Sequence, residues 1–173
     1  MNHNKTATDI FIQGWGSLGT SWGISKVMAE IYALLYLNVD PLTLDDISEK
    51  LKTSRSNVSL NVRALMVLGV VRKEVIRGER KDYYIAEDDI GKVARLLAIA
   101  KKRKELDPAI EIVEDALTAI GGEKPADEAH ARATARLEEL RRHMDFVNAI
   151  FAAFVGGETD AGSLAQVIGI KDN

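Results

Sequence analysis

The stretch from Leu42 to Ile85 constrains this chain most, because it holds four local signals in a restrictive order. Thr43-Leu-Asp-Asp46 pairs an N-cap threonine with an acid three residues on, the layout of a capping box. It opens a short helix with Leu44, Ile47 and Leu51 on one face. Lys52-Thr53 leaves a tight connection before a second cap at Thr53 or Ser54. The next helix, 54–68, turns Val58, Val62 and Leu65 inward, and Gly69 follows where a left-handed cap is expected. Two β-rich runs come next, Val70–Ile76 and Lys81–Ile85, joined as a hairpin by Arg77-Gly78-Glu79-Arg80. Helix, tight turn, helix and hairpin is the order of a winged helix-turn-helix.

The flanks read as helical. A short helix is expected from about Asp9 to Leu18 and a longer one over 23–38, ended by Asn38-Val-Asp40-Pro41. After Asp88 nothing reads as strand. Ile90, Val93, Leu97 and Ala100 share a face, and the basic cluster Lys101–Lys104 follows as a solvated helix end. Leu106, Ile110, Val113, Leu117 and Ile120 mark another helix, closed by Gly121-Gly122, with Pro125 near the start of the next. Ala133, Leu137, Leu140, Met144, Val147, Phe151 and Phe154 then keep a 4-3 spacing, three heptads of an a/d seam. Gly156-Gly157 ends that helix, and a short one around Leu164–Ile168 closes the chain. The expected fold is mainly α: a winged helix-turn-helix with a small β-hairpin wing and a C-terminal helical dimerisation arm. The boundaries are 9–88 for the DNA-binding domain with its N-terminal helices and 89–173 for the dimerisation region.

Charge points the same way. Residues 50–81 hold nine basic side chains against two acids, Glu74 and Glu79, a local net of +7. The whole chain carries −3, so the remainder carries −10. A basic island in an acidic chain is an electrostatic footprint for a polyanion. The outward side of the second helix would present Ser54, Arg55, Ser56, Asn57, Ser59, Asn61 and Arg63, with Thr53 at its entry. Such small, polar and cationic residues suit a major groove about 12 Å wide, where arginine pairs with guanine and asparagine with adenine. Arg77, Arg80 and Lys81 make the wing cationic, suited to the backbone or a narrow minor groove.

These residues carry a family resemblance. LTLDDISEKLKTSRSNVSLNVRALMVLGVV from Leu42, followed by RGERKDYYIA, resembles the MarR superfamily and above all its GbsR/MarR branch. Trp22-Gly-Ile-Ser25 and Ile31-Tyr-Ala-Leu-Leu-Tyr36 extend the resemblance to roughly 10–86, while the C-terminal helices match only in type. The resemblance implies a homodimeric, cytoplasmic transcriptional regulator, a repressor, with double-stranded DNA as partner. It also implies DNA-binding lobes held apart by terminal helices. Leu137, Leu140, Met144, Val147, Phe151 and Phe154 are the expected dimer contacts, with packing within one chain as the alternative use of the same spacing. Some members of the branch respond to choline or glycine betaine, a property of those members. Trp15, Trp22, Tyr32 and Tyr36 gather four of the ten aromatics. They are the candidate pocket for a small-molecule effector, set against ordinary packing.

Other constellations are weaker. Gly14-Trp-Gly16-Ser-Leu-Gly19 matches a dinucleotide fingerprint but lacks the strand–helix alternation it needs, so the glycines are read as letting helices approach closely. Glu139 and His143 sit at i, i+4, and His130 is nearly four turns from His143. Glu139 and His143 are read as an ion pair on the helix surface, with no metal and no cofactor. Cysteine is absent, which excludes disulfides and thiolate chemistry. No apolar run is long enough for a bilayer and the N-terminus lacks a secretory pattern. No nucleophile elbow, zinc-protease motif or phosphate loop is present, so an enzyme is not expected. Two other classes share the helix-turn-helix pattern: an architectural DNA binder without effector, and a winged helix used for protein contacts.

Overall fold

The computed structural model describes residues 6–121 and 127–156. The turn at Gly122, the entry at Pro125, Gly157 and the closing helix at Leu164–Ile168 lie outside the described residues. The chain divides into two compact units, one up to Ala94 and one from Arg95.

In the first unit, α1 (Ala7–Ser21) and α2 (Lys26–Leu37) pack together. Each starts at a side-chain cap. The Thr6 hydroxyl accepts from the Asp9 N–H in a capping box, and the Ser25 hydroxyl accepts from the Met28 N–H. Helix α2 buries Ala29, Ile31, Tyr32, Ala33, Leu34 and Leu35. A helix apolar on nearly every side must be surrounded, and α1, α3 and α4 and the last strand all pack on it. The glycines of α1 are what allow this. A Cβ at Gly19 would lie 2.5 Å from the Ala29 Cβ, and one at Gly16 would lie 2.6 Å from the Glu30 Cγ. Two of the three fingerprint-like glycines, Gly16 and Gly19, are therefore a helix–helix contact, and Gly14 faces open space.

Helix α3 (Leu44–Leu51) begins at Thr43, whose capping box with Asp46 is present as expected. The Asp46 carboxylate accepts from the Thr43 hydroxyl and N–H, and those bonds hold its pKa below the usual value. Thr43 has a second role that the cap motif does not announce. With Leu42 it forms β1 (Leu42–Thr43), antiparallel to β3 (Tyr83–Ala86). The wing is thus a three-stranded sheet of order β1-β3-β2, with β2 at Val71–Glu74. Its hairpin differs from the expected one. The strands are shorter, and residues 75–82 form the connection instead of 77–80. Val75 is 81% exposed, so its side chain does not hold the upper hairpin in register.

The turn between α3 and α4 (Arg55–Val67) is made at Lys52, the described non-glycine residue with positive φ (51°). A left-handed lysine costs about 1–2 kcal/mol. Two bonds offset it: the Thr53 N–H donates to the Ser48 carbonyl at 3.1 Å, and the Ser48 hydroxyl donates to the Thr53 carbonyl at 2.6 Å. Val58, Val62 and Leu65 of α4 are buried with Ile31 and Ile47.

Helix α5 (Ile90–Lys101) leads through a π-helical segment, Lys102–Leu106, directly into α6 (Asp107–Gly121). The basic cluster is therefore not a helix end, as expected from sequence, but lies mostly on this wider turn. Pro108 explains it. Proline lacks an N–H and its ring collides with the carbonyl four residues back, here on Lys104, and a π turn relieves that collision without breaking the helix. Lys101 pairs with Glu105, and Lys102 with Asp107. Helix α7 (Glu128–Gly156) packs on α6, with Arg141 bridging to Glu114 at 2.6 Å.

The glycine contact yields a paired test. Gly19→Ala is expected to lower stability by about 1–3 kcal/mol through overpacking. Gly14→Ala, with nothing within 4 Å of its new methyl group, should raise it by about 0.5–1 kcal/mol. Urea denaturation of both variants checks this; equal effects would contradict the close approach.

Candidate nucleic-acid interface

Helix α4 is held by its inner side and shows its other side to solvent. Its cap is Ser54, whose hydroxyl accepts from the Asn57 N–H at 3.3 Å and lies 3.2 Å from the Ser56 hydroxyl. Arg55, Ser56 and Arg63 are exposed; Thr53, Asn57 and Ser59 are half-buried. The Asn57 amide donates to the Thr53 hydroxyl, and Arg63 reaches back to donate to the carbonyl and hydroxyl of Ser59.

Asn61 departs from the sequence reading, which placed it outward. It is 9% exposed. Its amide nitrogen donates to the backbone and side-chain oxygens of Asn57, both at 2.9 Å, and its oxygen accepts from the Ser25 hydroxyl at 2.9 Å. The physical reason is spacing: position 61 follows Val58 by three and precedes Leu65 by four, so it lies on the buried side. Asn61 thus ties the cap of α2 to the middle of α4, and it is unavailable to a base. Leu60 departs in the opposite sense. It was not counted among the outward residues, yet it is 65% exposed. The signal was present, since Leu60 lies one turn from both Ser56 and Arg63.

The wing brings further cations to the start of α4. Arg77, Arg80 and Lys81 are all exposed. The connection turns at Gly78, where φ is +92°, and the Glu79 N–H donates to the Ile76 carbonyl. Lys73 and Asp82 pair across the hairpin at 2.7 Å, and that hydrogen bond raises the lysine pKa. Arg55, Arg80 and Lys81, with Asp45, Asp82, Thr43 and Leu44, line a recess of about 300 Å³. Helix start and wing base are therefore joined in one cationic notch, which Arg77 does not line. Two acids temper it. Arg55 Nε donates to Asp45 Oδ1 at 2.7 Å, with both side chains more than half exposed.

The four aromatics of the expected effector pocket form two groups. Trp15 stacks on Phe11 and meets Trp22 edge to face, with ring centroids 5.4 and 5.9 Å apart. Tyr32 stacks on Tyr36 at 5.9 Å. No ring contact among the described residues joins the groups. Tyr32 is buried and its hydroxyl donates to the Glu87 carbonyl at 3.0 Å. Burial first, then nearby negative charge, pushes its pKa up to about 12. Packing accounts for this pair without a ligand.

The seam on α7 is divided. Leu137, Met144, Phe151 and Phe154 are half-buried, whereas Leu140 and Val147 remain 44% and 39% exposed. None of the 29 residues of this helix is buried. The His143 ring bonds the Glu139 backbone carbonyl rather than its carboxylate. Among the described residues no three metal-binding side chains gather, and no helix is long and apolar enough to cross a membrane.

Fold and interface define a winged helix-turn-helix protein. Its sequence relatives are regulators of the GbsR type, as the resemblance over 10–86 implied. The chain is 30% identical over 112 residues to the HTH-type transcriptional repressor GbsR of Bacillus subtilis (strain 168), covering 65% of this chain and 62% of that protein. It is 24% identical over 150 residues to the putative HTH-type transcriptional regulator YvaV of the same organism, covering 83% of each. A third relative there, the HTH-type transcriptional repressor OpcR, is 29% identical over 69 residues, covering 40% of this chain and 37% of that one. The match to GbsR thus spans less than two thirds of its length. No family model matches. A crystal structure of a transcriptional regulator superposes with a TM-score of 0.64 at 16% identity, covering 87% of this chain and 97% of that one; it shares the fold.

The position of Asn61 has a measurable consequence. Asn61→Ala removes a donor and an acceptor from a buried network and is expected to lower stability by about 1–3 kcal/mol in urea denaturation. An unchanged midpoint would return Asn61 to the outward side.

Proposed function

We propose that this chain is a homodimeric, sequence-specific DNA-binding transcriptional regulator, a repressor that acts in the cytoplasm. Helix α4 enters the major groove and the wing, 77–81, lies on the backbone or in the minor groove. The observation that carries this reading is the gathering of Arg55, Arg80 and Lys81 around one recess beside the polar side of α4. The repressor and regulator names of the relatives support it. Thr53, Ser54, Ser56, Asn57 and Ser59 serve phosphates and base edges near the helix start, and Arg55 and Arg63 serve guanines or phosphates.

Magnitudes favour the exchange that binding requires. Arg55 must leave Asp45, an exposed pair worth about 0–1 kcal/mol. A bidentate arginine–guanine contact discriminates by about 1–3 kcal/mol.

Residues 9–88 form the DNA-binding domain and 89–173 the dimerisation region. A 29-residue helix with no buried residue, and with Leu140 and Val147 exposed along a heptad seam, suits a second copy of the chain. A two-fold dimer sets recognition helices about 34 Å apart and reads a pseudo-palindrome.

Duplexes selected by the full chain from a random library test this reading. Arg55→Ala and Arg63→Ala should each weaken binding to the selected duplex by about 1–3 kcal/mol in anisotropy titrations. Leu140→Asp with Val147→Asp should give a monomer by light scattering. Unchanged affinity in both arginine variants would remove the groove assignment, and a dimeric double variant would place the seam within one chain.

A further inference from the structure

Leu60 lies outside the buried side of α4 and has no group to offer a phosphate. The inner side of α4 is filled by Val58, Asn61, Val62 and Leu65, and Leu60 stands on the other side, 65% exposed. Ser56 precedes it by one turn and Arg63 follows by one turn, both exposed, so the three share a face. Arg63 is tied back to Ser59, the residue beside Leu60 in sequence, by two bonds of 3.2 Å. An isobutyl group thus sits where the polar, cationic start of this side meets its apolar end, at which Ala64 and Val67 are also exposed, inside a segment that carries a net +7.

The surrounding charge selects a polyanion as the occupant of this side, and the leucine narrows the choice further. It neither donates nor accepts hydrogen bonds. Against a guanine, adenine or cytosine edge in the major groove it would strip water from polar groups and satisfy none of them. Those edges carry donors and acceptors, and the one apolar group in the groove is the thymine C5-methyl.

We propose that Leu60 is a specificity residue that packs on the methyl group of one thymine in each half-site, beside the positions served by Ser56 and Arg63. This rests on the DNA-binding reading above. Burying a methyl group contributes about 0.8 kcal/mol, which converts to about fourfold in affinity at 1.4 kcal/mol per tenfold.

The test uses the full chain and a duplex it selects from a random library. Each thymine is replaced in turn by deoxyuridine, which deletes only the methyl group, and affinity is read by fluorescence anisotropy. One thymine per half-site should show a loss of about fourfold. Leu60→Ala and Leu60→Gln, both at an exposed helical position, should keep the wild-type circular dichroism and bind the thymine and uracil duplexes equally. A wild-type chain indifferent to every replacement overturns the proposal, as does a uracil penalty that persists in both variants. A change of oligomeric mass in Leu60→Ala assigns the residue to a protein contact instead. A chain that selects no duplex brings down the DNA-binding reading itself, and the assignment of Leu60 with it.

Discussion

The burial of Val58, Val62 and Leu65 beneath α2 and α3 decides which side of α4 the molecule shows to its surroundings. Each such side chain contributes roughly 1.5–3 kcal/mol when removed from water. Turning the helix over would forfeit roughly 5–9 kcal/mol on that scale. Surface attractions such as Arg55 to Asp45 are too small to compete. The bond network from Ser25 through Asn61 to Asn57 then fixes the rotation more finely, because a buried amide left unpaired is expensive. Everything proposed for the outward side follows from this anchoring.

The anchor depends in turn on α2. That helix is enclosed by α1, α3 and α4 and by β3, and the glycines of α1 let one wall come close. Thr43 couples the remaining parts, since it caps α3 while pairing with Tyr83 in the sheet. The base of the wing is therefore attached to the start of the helix-turn-helix. Arg80 and Lys81 reach the recess that Arg55 lines because of that attachment.

Much of this was legible in the sequence, for local reasons. Capping boxes, 3.6-residue periodicity and a glycine at a turn act through neighbours a few positions away. The order from Leu42 to Ile85 could therefore be read directly. What was not legible depends on distant partners. The two residues of β1 are too short to show a period, and they pair with a strand some forty positions on. Asn61 looks like a base reader until Ser25, 36 residues earlier, is seen to hold it. The π segment before Pro108 needed the collision with Lys104 to be weighed against a full break. The four aromatics at 15–36 are close in sequence, yet packing sorts them into two separate stacks. The heptads of α7 set a spacing that one chain and two chains can both use.

On the function proposed above, the outward side of α4 and the wing meet a duplex through charge and groove contacts. The salt dependence of duplex binding tests it most directly, with affinity measured between 50 and 200 mM salt on the log–log scale. Each neutralised phosphate contributes a slope of about −0.9. The arrangement of Arg55, Arg63, Arg77, Arg80 and Lys81 in each copy predicts a steep, linear fall. Affinity that stays flat across that range, or no measurable affinity at its low end, would rule out a duplex on this side of α4.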